Sequence, residues 1–226
     1  MARIFKTSIG KKLIMSITGL FLILFLTMHM CINFISVFSP SDFEKACEFM
    51  SLPIVSIMVP ILAAGFVFHI IYAFILFAMN RKASGGSNRY EVRTKTKGDS
   101  WASRNMIVLG IIVFLGLGIH LYDFWANMQL KNWTGQPELD PNMLMYRTFG
   151  NVRIAISYII WFIAVWFHLT HGFWSAFQTI GWNNDIWLKR FQVIGYVVAT
   201  ILMGGFIVIA AVACCRANGW LPMPIV

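Results

Sequence analysis

The chain has 226 residues, of which 58% are hydrophobic and only 12% charged, with a mean hydropathy of +0.71. Soluble domains carry about 25% charged residues, so this balance excludes a water-soluble globular protein. The net charge of +9 reads as basic flanks meeting anionic lipid, and not as a nucleic-acid surface.

Five apolar segments follow in chain order, at roughly 13–38, 52–80, 105–127, 152–182 and 193–213. Each reaches the roughly 20 residues that a helix needs to cross the hydrocarbon core, and the longer ones predict some tilt. The first begins close to the N-terminus. It exceeds a signal-peptide core and no A-x-A site follows it, so it reads as a retained helix. No strand-type alternation, internal repeat or low-complexity run is visible. The only extended polar stretch is 81–104, in which Ser84, Gly85, Gly86 and Ser87 predict a flexible turn. The expected architecture is an all-α membrane protein: one domain over 1–226, built as a five-transmembrane-helix bundle.

The basic residues set its expected orientation. With the N-terminus inside, Arg3, Lys6, Lys11, Lys12, the seven Lys and Arg of 81–104, Lys189 and Arg190 all lie on the cytoplasmic side. Only Lys45, Lys131, Arg147, Arg153 and Arg216 lie outside. The positive-inside rule then predicts a cytoplasmic N-terminus and an outer C-terminus. Trp101, Trp125, Trp133, Trp182 and Trp187 suit an aromatic belt at the interfaces. Cys31, Cys47, Cys214 and Cys215 have no C-x-x-C spacing and point to no particular chemistry.

The histidines are more informative. His29, His69 and His120 fall in the first three apolar segments, His168 and His171 in the fourth, and none lies in a loop. An ionisable group in hydrocarbon marks a functional site, and here four helices each bring one. Five dispersed histidines are too few for a histidine-clustered di-iron desaturase. Carboxylate-bridged metal sites fail as well, because no Asp or Glu lies within the apolar core of a segment. Four imidazoles on four helices suit two haems b, each clamped between two helices by a pair of axial ligands.

Depth orders them. His29 lies 17 residues beyond Lys12 and His120 lies 16 beyond Arg104, whereas His69 is only 12 before Arg81. His29 and His120 are therefore expected nearer the outer face and His69 nearer the inner one. His168 is 15 residues from both Arg153 and Asn183, so it joins His69 by elimination. Small residues at Gly19, Ala63, Ala64, Gly65, Gly110, Gly116, Gly118 and Gly172 would allow macrocycles and helices to approach closely.

Three stretches carry a family resemblance: SIGKKLIMSITGLFLILFLTMH, SRNMIVLG with IHLYDFW, and FHLTHGFWSAFQTIGW. They resemble the cytochrome b membrane-anchor subunit of succinate dehydrogenase and fumarate reductase, in the single-subunit, five-helix, di-haem form of bacteria that use menaquinone. The resemblance extends over essentially the whole chain and is strongest in those stretches. It implies four axial ligands: His29 and His120 for a distal haem, His69 and His168 for a proximal one. Aligning Gly181-Trp182 puts the fourth ligand on His168, which leaves His171 for a supporting hydrogen bond to a haem propionate or a carbonyl.

The resemblance also implies a location and partners. The location is the bacterial cytoplasmic (inner) membrane. A flavoprotein with covalently bound FAD and an iron–sulfur protein with three clusters dock on the cytoplasmic face, where dicarboxylate chemistry takes place, and the whole complex can dimerise. Electrons run between the iron–sulfur partner and menaquinone through the haems. Lys11, Lys12, Ser103 and Arg104 are placed for proximal-haem propionates or for docking. In KACEF, Glu48 matches a glutamate associated with quinol oxidation, although the loop is shorter here; it is one of several outer carboxylates, alongside Asp42, Glu44 and Asp123. Trp166 stands where some relatives carry a proton-conducting glutamate two residues before the fourth ligand, which predicts that this proton path is absent or built differently. Two other classes fit parts of this pattern: a cytochrome b subunit of a hydrogenase or formate dehydrogenase, and a haem-free membrane transporter.

Overall fold

A computed structural model describes residues 7–83, 100–137, 139–182 and 184–224. Among these all the regular secondary structure is helical, with no strand. Most of the basic loop, including the turn expected at 84–87, lies outside the described residues, as do Arg3, Lys6 and Asn183.

The helices begin where side-chain oxygens can take up the free N–H groups of a first turn. Thr7 accepts from Gly10 N–H at 3.1 Å and opens α1 (Ser8–Phe34), which tightens into a 3-10 turn over Ile35–Val37. Ser39 caps α2 (Pro40–Met50), and a short turn, α3 (Pro53–Ser56), leads into α4 (Met58–Ala83). Ser100 caps α5 (Trp101–Arg104), which precedes α6 (Met106–His120). From Leu121 to Leu130 the winding loosens to a π-helix, closed by the single turn α7 (Lys131–Trp133). Asp140 caps α8 (Pro141–Phe149), Asn151 caps α9 (Val152–Ile180) and Asn184 caps α10 (Asp185–Ala217). Gly181, at φ 115°, ends α9 in the left-handed conformation that glycine adopts without steric cost.

Five of these helical stretches are long and apolar enough to cross a membrane: 8–37, 53–83, 106–133, 152–180 and 185–217. Three differences from the expected segments have local causes. The last helix begins eight residues earlier than the apolar run, because Asn184 and Asp185 supply an N-terminal cap and a favourable first-turn charge. Lys189 and Arg190 therefore lie on its first turns, with the Arg190 guanidinium 5.1 Å from the Trp187 ring centre. The connections between the first and second spans and between the third and fourth, which lie outside the expected apolar segments, contain α2 and α8, each started by a capping residue followed by proline. The third span runs past 127 to Trp133 through the π segment, where the Asn127 amide donates to the Tyr122 and Asp123 carbonyls at 3.1 and 3.0 Å.

Packing divides the bundle unequally. The α9–α10 seam holds the core, with Ala199, Leu202, Met203, Ala210 and Ala213 from α10 against Ala155, Tyr158, Phe162 and Leu169 from α9. At the far end of α1, Phe43 of α2 joins Met145 and Phe149 of α8 in the same core. Arg216 donates to the Ser36 and Val37 carbonyls at 3.0 and 2.7 Å, tying the end of α10 to the end of α1.

α4 is different. None of its residues is buried, and α1 is the long helix it packs along. A Cβ at Gly65 would stand 2.8 Å from the Phe21 ring of α1, so glycine is what lets the two helices close. Gly65→Ala is expected to destabilise this contact by about 1–3 kcal/mol, the usual cost of overpacking. Thermal unfolding of the purified chain in detergent, compared with Ala63→Ser on the same helix, measures it.

Candidate functional site: two histidine pairs

The five histidines lie in the spanning helices, half-buried. Four of them meet in two pairs. The rings of His29 on α1 and His120 at the end of α6 stand 5.8 Å apart, centre to centre. Those of His69 on α4 and His168 on α9 stand 6.4 Å apart. Neither α1 with α6 nor α4 with α9 packs as a close helix pair; among the four helices that carry the pairs, the close contacts are α1 with α4, α1 with α9 and α6 with α9. Each imidazole pair thus reaches between helices that do not themselves pack together.

The pairs occupy different levels. His69 rests against α1 at Thr18 and Gly19, ten residues before His29. His168 comes within 3.9 Å of a Cβ built at Gly110 on α6, ten residues before His120. At 1.5 Å per residue, both helices place the two pairs about 15 Å apart along the bundle. The His69–His168 pair lies toward the end where α1 begins, the His29–His120 pair toward the end where α1 finishes.

An aromatic cluster encloses the His29–His120 level. His29 contacts Phe25 at 5.4 Å and Phe206 at 5.7 Å, and His120 lies among Phe124, Tyr158 and Trp161 at 5.2, 6.3 and 6.0 Å. Trp161 donates from its indole to the Val113 carbonyl at 3.2 Å and lies directly over Gly116, where any Cβ would collide with the indole. Just beyond His120, within the π segment, Tyr158 donates to Asp123 at 2.9 Å. The Asn33 amide donates to the His29 carbonyl at 2.8 Å, and its nitrogen lies 3.4 Å from His29 Nδ1.

At the other level, Thr18 Oγ1 is 3.3 Å from His69 Nδ1. His171, one turn beyond His168, meets the Trp174 ring at 4.8 Å. The Nδ1 atoms of His168 and His171 are buried without a hydrogen-bond partner. A buried polar group left unpaired costs about 1–3 kcal/mol, so both nitrogens favour an occupant of the bundle that can satisfy them.

The geometry fits bis-imidazole ligation. With a metal–nitrogen bond of about 2.0–2.1 Å, two imidazoles on opposite sides of one ion have ring centres about 6 Å apart. Among the described residues, no three His, Cys, Asp or Glu side chains converge to hold an ion by themselves. Each pair brings two imidazoles together, which would suit a metal whose remaining positions are filled by a macrocycle and does not suit a protein-only metal site.

The other predicted residues divide between the two ends. Lys11 and Lys12 lie on the first turns of α1, with Lys11 Nζ 3.6 Å from Met79 Sδ, and Ser103 and Arg104 lie on α5. All four are at the end nearer His69 and His168, where Lys12 and Arg104 are exposed. Glu48 is exposed on α2, at the end nearer His29 and His120. On that same helix, burial first, with the Asp140 and Glu44 carboxylates adding to it, pushes the Cys47 thiol up to about 12. Asp42 is held below its usual value by hydrogen bonds from Lys45 and Ser39. Trp166 donates to Thr200 on α10 at 2.9 Å. Of the glycines expected to admit close approach, Gly19, Gly65 and Gly116 do so, whereas Gly118 has nothing within 4 Å of a built Cβ. Thr18, Asn33 and the Asp123–Tyr158 bond carry no sequence signal, because each depends on a partner across the bundle or on a helical turn built in three dimensions.

In comparisons with protein-family models, curated proteins and solved structures, nothing matches the chain.

Gly116→Ala should displace Trp161 and, through it, the His120 ring that Trp161 stacks against. The expected loss is about 1–3 kcal/mol, read by thermal unfolding together with a red shift of tryptophan emission. Tyr158→Phe leaves Asp123 without its donor and should cost about 1–3 kcal/mol in the same assay; an unchanged melting curve would assign the bond no structural role.

Proposed function

We propose that this chain is the di-haem cytochrome b anchor subunit of a succinate:quinone oxidoreductase, carrying electrons between an iron–sulfur subunit and menaquinone. The observation that supports it best is the pairing of four histidines from four helices, 5.8 and 6.4 Å apart, at two levels of one five-helix bundle. The two pairs agree with those expected from the family resemblance. In this reading His29 and His120 hold a distal haem, and His69 and His168 a proximal one. When bound, the two haems supply one-electron redox centres at two depths of the bilayer.

The chain's own residues do the rest. The neutral form of imidazole is the one that ligates a metal. Phe25, Phe124, Trp161 and Phe206 keep water from the His29–His120 level. The end nearer His69 carries Lys11, Lys12, Arg81, Lys82, Arg104, Lys189 and Arg190, and is assigned to the cytoplasmic side by the positive-inside rule. The flavoprotein and iron–sulfur partners dock there, with dicarboxylate chemistry on the flavoprotein. Menaquinone reacts near the opposite end, where Glu48 is the carboxylate assigned to its protons, among several there that include Asp42, Glu44 and Asp123. Trp166, bonded to Thr200, offers no carboxylate for a transmembrane proton path beside His168.

A reduced-minus-oxidised spectrum with extraction and counting of haem should give two haems b per chain. Replacing His29, His69, His120 or His168 by Ala should remove one haem each, and His171→Ala should keep both. Colourless protein would overturn the reading. In proteoliposomes containing the whole complex, turnover should generate a membrane potential, and electroneutral turnover would overturn the expectation that the proton path is absent.

A further inference from the structure

His69 differs from the other three paired histidines in how it is seated. The helix it sits on is the least buried of the five, so its ring is steadied from α1. A Cβ at Gly19 would stand 3.3 Å from His69 Cε1 and 3.7 Å from Nδ1. The Nδ1–Cε1 edge of the ring therefore lies against the α1 backbone, and the Nε2–Cδ2 edge faces away from it.

The Thr18 hydroxyl meets that edge at Nδ1, 3.3 Å away. It also lies 2.9 Å from the Ile14 carbonyl and 3.1 Å from the Met15 carbonyl. A threonine hydroxyl has one proton and two lone pairs, and inside a helix it characteristically donates to the carbonyl four residues back. Here the shortest contact is that carbonyl, Ile14, so the single proton is spent within α1. What the hydroxyl can offer His69 is a lone pair, and the partner that completes the bond is an N–H at Nδ1. A neutral imidazole protonated at Nδ1 has its free lone pair at Nε2.

We propose that Thr18 is the positioning residue of the His69–His168 site: it holds His69 as the Nδ1–H tautomer, so that Nε2 is the ligating atom. This rests on the function proposed above. Its chemical consequence follows from the hydrogen bond, since an acceptor at Nδ1–H makes the ring a stronger donor to a metal bound at Nε2. That favours the ferric state and lowers the potential of the haem held there. Gly19 completes the seat, because a side chain at that position would push the ring away from the hydroxyl.

Two measurements test it. In the purified chain without haem, reconstituted in lipid and labelled with 15N-histidine, the His69 signal, assigned by its loss in His69→Gln, should report Nδ1–H, and should lose that preference in Thr18→Val. An Nε2–H signal in the parent chain overturns the proposal. In the haem-loaded chain, Thr18→Val should keep two haems and raise the midpoint potential of one while leaving the other unmoved, and Thr18→Ser should match the parent. Unmoved potentials in Thr18→Val, or a shift in Thr18→Ser as large as in Thr18→Val, overturn it. If the parent chain binds no haem, the functional reading fails, and the tautomer measurement still decides what Thr18 does to His69.

Discussion

Hydrocarbon offers a polar group nothing to bond with, and this bundle is organised around that constraint. Backbone groups meet it inside the helices themselves. Side chains meet it by short local bonds: Thr18, Thr27 and Ser16 return their hydroxyls to carbonyls of α1, and Trp161 and Trp166 donate to the helix alongside. Of the paired imidazoles, His29 has a neighbour one turn along its own helix, Asn33 at 3.4 Å from Nδ1, while His69 is met by Thr18 from another helix. Each of four reaches across to a histidine on a helix with which its own does not closely pack, and two buried nitrogens, on His168 and His171, are still without a partner.

The mechanical design follows from the same division. α9 and α10 form a buried seam of small residues and aromatics, and α1 and α6 lean on α9. α4, which has no fully buried residue, is held along α1 by the close approach that Gly65 permits. The helix carrying His69 is thus the one with least support of its own, and its ring takes its orientation from Thr18 and Gly19 on the neighbour. At the other level, Trp161 over Gly116 steadies His120. In both places a glycine opposite an aromatic ring sets how near two helices come.

Much of this was legible in the amino-acid order. Apolar runs of about 20 residues can do little but span a bilayer, so five helices followed from length and composition. Their ends were less legible: the last helix started eight residues before its apolar run, and α2 and α8 stood in what read as loops. The signals were present in Ser39-Pro40, Asp140-Pro141 and Asn184-Asp185, but capping is a local, weak preference that hydropathy does not register. The π segment after His120 had no signal, because it depends on how Asn127 bonds to carbonyls that a regular helix would have used.

For the site, the sequence by itself determined which residues could matter. Histidines confined to membrane spans stand out because burying them is costly, and counting residues from flanking charges places them in depth, since helix rise is constant. Counting fails for His168, equidistant from both ends of its helix. Only the tertiary structure decided that it meets His69, that Thr18 and Gly19 frame that ring, and that Asp123 bonds to Tyr158. Those are contacts between helices, set by rotation about each axis and by the close approach that single glycines allow, and neither quantity is written in the order of residues along one chain.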